Sequence, residues 1–126
     1  MKKLLALFFT AILLMGCSKD KENKNTYRQV GVQEAMDIMK KESGYIILDV
    51  RTPEEYATKH IKGAVNIPNG SIGTEEITEL PDKNQLILVY CRSGNRSKDA
   101  SDKLVKLGYT NVVEFGGIID WPGETE

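Results

Sequence analysis

Apolar residues along this chain fall into short blocks of changing period. Tyr45-Ile46-Ile47-Leu48 and Leu86-Ile87-Leu88-Val89-Tyr90 are unbroken apolar runs of strand length, rich in β-branched and aromatic residues. Such runs read as strands covered on both faces. Within Gly31–Ser43, Val32, Ala35, Met36 and Met39 recur at helical spacing, and Gly44 ends the segment. The methionines read as core. Thr52-Pro53-Glu54-Glu55 predicts a helix start, with Thr52 as N-cap, Pro53 in first position and Glu55 completing a capping box. Ala64–Ile67 predicts a further short strand, closed by a turn at Pro68-Asn69-Gly70. Ser71–Leu80 has no clean period, and a short helix over Thr74–Leu80 is one reading. From Ser97 the residues read as a helix with Ser97 as N-cap and Asp99 in the first turn. Ala100, Leu104 and Val105 form its apolar face, Lys103 and Lys106 fall near its end, and Gly108 stops it. Tyr27–Val30 and Asn111–Glu114 read as the first and last strands, with Gly116-Gly117 a tight turn before Trp121. Strands alternate with helices. The expected fold class is therefore α/β, three-layered, with a central, mainly parallel five-stranded sheet covered by helices on both faces.

The front of the chain follows another logic. Met1-Lys2-Lys3 is basic, and Leu4–Met15 is apolar except for Thr10. The apolar stretch is shorter than the roughly 20 residues a bilayer span needs, so residues 1–16 read as a signal peptide. Leu14-Met15-Gly16-Cys17 resembles a bacterial lipobox, which implies a lipid on Cys17 and an extracytoplasmic, membrane-anchored protein, periplasmic or extracellular. Ser18–Asn25 has no apolar residue and mixes charges, so residues 17–26 read as a lipidated N-terminus and polar tether. Residues 27–126 remain for one modest core.

The whole chain has 17 basic and 18 acidic residues. Losing Lys2 and Lys3 with the signal leaves 15 against 18, so no basic face predicts a nucleic-acid partner. There are two cysteines and one histidine, His60. If Cys17 carries lipid, Cys91 is a lone thiol in an oxidising compartment, with no disulfide partner in its chain and no Cys/His cluster for a metal. Cys91 is then an inert core residue or a reactive one. The polar loop that follows it favours reactivity. Cys91 ends an apolar run, Arg92-Ser93-Gly94-Asn95-Arg96 form the loop, and a helix starts at Ser97. Backbone N–H groups of the loop and helix start converge on the sulfur and favour its thiolate. Asp49 and Arg51 end a neighbouring strand, where sites form in parallel sheets. Their expected part is support, holding loops by hydrogen bonds.

Four separated motifs then resemble one family, the single-domain rhodaneses, which are sulfurtransferases. They are Tyr45-Ile46-Ile47-Leu48-Asp49-Val50-Arg51-Thr52-Pro53-Glu54-Glu55-Tyr56, His60-Ile61-Lys62-Gly63-Ala64-Val65-Asn66-Ile67-Pro68, Cys91–Ser97, and Gly108-Tyr109 with Asn111-Val112, Gly116-Gly117 and Trp121. The resemblance covers Tyr27–Trp121 and implies a rhodanese-like fold. The chain stops soon after Trp121, so the closing helix of longer relatives is expected to be short or absent. Four residues separate Cys91 from Arg96. A tyrosine-phosphatase-type loop is one residue longer, so the tighter loop fits a sulfur atom on the cysteine better than a phosphate.

The resemblance implies that Cys91 takes a sulfane sulfur from a donor such as thiosulfate and passes it, through a persulfide, to cyanide or a thiol. The loop residues Arg92, Ser93, Gly94, Asn95, Arg96 and Ser97 would bind the substrate. Arg92 is the leading candidate for the donor's sulfonate. Arg96 either shares that work or pairs with an acid such as Asp49. No metal or cofactor is implied, and a monomer is expected. The histidine matching His60 is structural in the family, and the mechanism needs no base once the thiolate forms. Tyr90 is expected beneath the loop, Trp121 in the core or pocket wall, and Lys98, Asp99 and Lys103 on a solvated face. Two other readings keep the same loop: a persulfide carrier serving another protein, and a thiol redox sensor with little turnover.

Overall fold

A computed structural model of the chain describes residues 26–126. The expected signal peptide, Cys17 and nearly all of the tether lie outside the described residues. The elements run β1 (Arg28–Gln29), α1 (Val32–Lys41), β2 (Ile46–Asp49), α2 (Pro53–Thr58), β3 (Val65–Asn66), β4 (Ile87–Cys91), α3 (Asn95–Lys106) and β5 (Val112–Gly117). Short 3₁₀ turns occupy Asn69–Ser71 and Ile118–Asp120. The five strands form one sheet in the order β1-β5-β4-β2-β3, and every pairing is parallel. The α/β sheet expected from the alternating pattern is therefore present, wholly parallel.

The strand at the centre, β4, is buried at all five positions. Alternate strand residues face opposite sides, which divides the core in two. Ile87, Val89 and Cys91 pack with Leu48, Val112 and the α3 residues Ala100, Leu104 and Val105. Leu88 and Tyr90 pack with Ile47, Val113, Phe115 and Ala35 of α1, with Met39 and Tyr56 at the margin. Helices thus cover both faces. On β5 the same alternation turns Val112 and Glu114 toward α3.

Local chemistry starts the helices as expected at Thr52 and differently at Ser97. The Thr52 hydroxyl accepts from Glu55 N, and Glu55 Oε1 accepts from Thr52 N at 3.0 Å, closing the capping box. At α3 the expected N-cap is wrong. The cap is Gly94, whose φ of 121° suits glycine, and Ser97 lies inside the first turn with no exposed surface. The hydroxyl of Ser97 is committed inward, toward the sulfur, and is not free to cap. Helix α1 is shorter than Gly31–Ser43, because Glu42 turns to extended backbone. Residues Thr74–Leu80 form no helix. Gly116 and Gly117 belong to β5, and the turn follows them. Gly117 pairs with Cys91, and a Cβ there would stand 1.9 Å from the Arg92 carbonyl oxygen. Its glycine is set by that close approach. After the second 3₁₀ turn the described residues form no further helix. Thr125 bridges antiparallel to Ile61, and Glu126 exchanges backbone hydrogen bonds with His60.

A buried polar network locks β2 to β4. Asp49 is fully buried and Arg51 is 6 % exposed. Arg51 Nη2 donates to Asp49 Oδ2 at 2.7 Å and to the Lys59 carbonyl at 2.7 Å, and Arg51 Nε donates to Asp49 Oδ1 at 3.0 Å. Tyr90 Oη donates to Asp49 Oδ2 at 2.6 Å and accepts from Ile61 N at 3.0 Å. Burial and the bond to Asp49 hold the Tyr90 phenol well above its ordinary range, so it stays a donor. Removing that hydroxyl strands the buried Ile61 N–H and takes one of its bonds from Asp49 Oδ2. We expect Tyr90→Phe to cost about 1–3 kcal/mol, read as a lower urea midpoint at unchanged slope. An unshifted midpoint would show that the network adds nothing.

Candidate active site

The sheet delivers Cys91 to the carboxyl end of its central strand, where the chain must leave for α3. Gly94 bends it back, so loop N–H groups turn toward the sulfur. Gly94 N donates to Cys91 Sγ at 3.0 Å, and Ser97 Oγ lies 3.4 Å from the same sulfur. Cys91 is 1 % exposed. Burial alone pushes its thiol up. The Ser97 hydroxyl and the N–H groups of Ser97, Gly94 and Ser93 outweigh that cost, and the thiol ends below its ordinary value. The N-terminus of α3 adds a favourable dipole.

The two loop arginines are placed differently. Arg96 forms a fork with Glu55, Nη1 to Oε1 at 2.7 Å and Nη2 to Oε2 at 3.1 Å. The acid is Glu55 of α2, not Asp49, which Arg51 already occupies. The Arg96 guanidinium, with the Thr52 N–H, holds the Glu55 carboxyl down at about 2. Arg92 is exposed and has no ion-pair partner among the described residues. It lines a cleft of about 330 Å³ with Arg51, Lys59, Glu55, Ile118 and Ile119. Arg51 is paired with Asp49 and Glu55 with Arg96, so Arg92 and Lys59, which pair with no acid among the described residues, leave this mouth attractive to anions.

Ser93 and Asn95 are exposed loop positions, while Gly94 and Ser97 are buried. Asp49 and Arg51 sit on the opposite face of the sheet from Cys91, where they bond each other, Tyr90 and the Lys59 carbonyl. His60 stacks on Tyr56 with centroids 3.8 Å apart, and its Nδ1 lies 2.9 Å from the Tyr56 carbonyl oxygen. Its bonds hold the chain around α2 and the carboxyl end, away from the sulfur. Trp121 packs near Phe115. Asp99 and Lys103 are not simply solvated, since both bond Asn69 and tie the first 3₁₀ turn to α3.

Two acids were missed from the sequence. Glu55 carried a signal for its cap but none for a partner 41 residues away. Glu114 is 2 % exposed and accepts from Ser97 Oγ and from Gly116 N. Its signal was a lone acid inside Val112-Val113-Glu114-Phe115, an otherwise apolar strand.

Comparison with known proteins agrees with this geometry. The family model for the rhodanese-like domain matches residues 32–123. Thiosulfate sulfurtransferase PspE of Escherichia coli (strain K12) is 42 % identical over 73 residues, covering 58 % of this chain and 70 % of that protein. The putative sulfur carrier protein YrkF of Bacillus subtilis (strain 168) is 33 % identical over 115 residues. That match covers 90 % of this chain but 61 % of the relative, so the chain spans less than two thirds of it. Among solved structures, a rhodanese with anions from E. coli superposes with a TM-score of 0.60 at 40 % identity, over 65 % of this chain and 96 % of that one. The BH2092 protein from Bacillus halodurans gives 0.65 at 30 % identity, over 88 % and 84 %. Relatives of this domain are named for transferring or carrying sulfur, and by its matched residues, its parallel sheet and its cysteine loop the chain belongs to the rhodanese-like domain family.

Proposed function

We propose that Cys91 carries a sulfane sulfur as a persulfide and that the domain turns over as a thiosulfate sulfurtransferase. The observation that carries this reading is the sulfur itself, held by Gly94 N and Ser97 at the N-terminus of α3. The Cys91 thiolate attacks the outer sulfur of thiosulfate. A bond forms between Sγ and that sulfur, the bond to the sulfonate sulfur breaks, and sulfite leaves with the electron pair. A thiolate or cyanide then attacks the terminal sulfur of the persulfide. The Sγ–S bond breaks and its pair returns to Cys91. The loop N–H groups stabilise the charge on sulfur in each state. Arg92 meets the anionic donor at the cationic mouth, and Arg96 holds the loop through Glu55. The same persulfide would serve a carrier, a reading supported by a relative named as a putative sulfur carrier over most of this chain. The lipobox-like Leu14-Met15-Gly16-Cys17 supports anchoring by lipid at Cys17, on the extracytoplasmic side of a membrane.

Thiosulfate treatment should add the mass of one sulfur atom to the intact protein and nothing to Cys91→Ala. An unchanged wild-type mass would overturn the persulfide. A mass gain without thiocyanate formation from cyanide would favour the carrier.

The arginines should separate kinetically. Arg92→Ala should raise KM for thiosulfate about tenfold with kcat nearly kept, the effect of one lost charge-assisted contact. Arg96→Ala and Glu55→Gln should each lower kcat, and their double variant should be no worse than either, since both break one tie. Additive losses would refute the shared role.

Cys17→Ala should move the protein from the membrane pellet to the soluble fraction. Retention in the pellet would rule out the lipid anchor.

A further inference from the structure

Glu114 is a buried acid that the sulfur chemistry above leaves unused. It has 2 % of its surface exposed and faces α3, on the same side of the sheet as Cys91. Among the described residues no cation pairs with it. A buried carboxylate in that position is costly unless it is fully hydrogen-bonded or shares a proton. Its Oε2 accepts from Gly116 N at 2.9 Å and lies 2.5 Å from Ser97 Oγ, the range of a charge-assisted bond. Ser97 Oγ is in turn 3.4 Å from Cys91 Sγ and 3.0 Å from the Gly94 carbonyl oxygen.

One hydroxyl carries one proton; the Gly94 carbonyl competes for it at 3.0 Å, and along the row Sγ–Oγ–Oε2 it has two arrangements. In the first, the Cys91 S–H donates to Ser97 and Ser97 donates to ionised Glu114. In the second, protonated Glu114 donates to Ser97 and Ser97 donates to the Cys91 thiolate. Each arrangement holds a single negative charge.

We propose that Glu114 takes the Cys91 thiol proton through the Ser97 hydroxyl, so that the thiolate forms without placing a second anion in the buried site. The Cys91 S–H bond breaks as Ser97 Oγ receives that proton. The original Ser97 proton passes to Glu114 Oε2, and the electron pair stays on Sγ. No oxidant or further reactant is needed. Glu114 touches neither sulfur nor substrate; it is a positioning residue that acts through Ser97.

The exit for the proton is separate from the mouth for the anion. Glu114 lines a cleft of about 570 Å³ together with Glu34, Lys98 and Asp120. Arg92 and Lys59 line the other cleft. The remaining charges near the row are spoken for: Arg96 by Glu55 of α2, and Asp49 of β2 by Arg51 and Tyr90 of β4. None of them bonds to Cys91 or Glu114.

The inference rests on Cys91 working as a thiolate, as sulfur transfer requires, but its test involves no sulfur transfer. Alkylation of the full-length protein by iodoacetamide is followed at Cys91 by peptide mass spectrometry, so Cys17 does not interfere. The wild-type rate should rise with pH in two steps at least about one pH unit apart, as for two coupled sites. Glu114→Gln should give a single step lying below the upper wild-type step, because a like charge has been removed. Superimposable profiles would overturn the proposal. Should Glu114→Gln fail to fold, infrared difference spectra of the wild type decide. Between the two steps, alkylating Cys91 should remove the C=O band of a protonated carboxyl and add a carboxylate band. No such change refutes the relay. A two-step profile in a protein that gains no sulfur from thiosulfate would leave the relay standing and sink the sulfur-transfer reading.

Discussion

A cysteine sulfur held almost out of water is the constraint around which this fold is arranged. Burial works against the Cys91 thiolate. Only donors already aimed at the sulfur offset that cost, so the backbone of the loop has to be fixed before chemistry begins. Three contacts fix it. Gly94 takes the positive φ that turns its N–H inward. Arg96 is forked to Glu55, which ties the start of α3 to α2. Gly117 lies against the Arg92 carbonyl so closely that any side chain there would displace the loop. Each comes from a different element, and the parallel sheet is what brings them to one end of the molecule.

The sheet also separates two buried carboxylates. On the α1 face, Asp49 is matched by Arg51, donated to by Tyr90, and has no free role. On the α3 face, Glu114 has an N–H and a hydroxyl but, among the described residues, no cation. A pair with its counterion strengthens structure at the cost of desolvation. An acid without one relies on its hydrogen bonds, and here one of them comes from Ser97, the residue beside the sulfur. Strand alternation decides which acid belongs to which network.

Much of this was legible in the chain. Unbroken apolar runs at Tyr45–Leu48 and Leu86–Tyr90 mark central parallel strands, because covered strands have no polar face to show. The Thr52–Glu55 box is local, and it forms as read. Ser97 failed as an N-cap for a reason that sequence spacing does not contain: its hydroxyl has tertiary partners on β4 and β5 that outbid the helix end. Gly116-Gly117 read as a turn because glycine is permissive, whereas Gly117 is required by proximity to a loop 25 residues earlier. Glu55 and Glu114 were hidden for the same reason. Their partners, Arg96 and Ser97, are distant in sequence, and only sheet order joins them.

The two clefts complete the electrostatic argument. The sulfane donor proposed above is an anion and is drawn to cations at its entrance, while the buried carboxyl of Glu114 opens toward a different cleft. Arg92 and Lys59 line one side of the loop, and Glu34, Asp120 and Lys98 surround the other. Arg92 lines the first cleft and Ser93 and Gly94 line the second, so the field at the mouth acts from one side of the loop while the Glu114–Ser97 row meets the sulfur from the other.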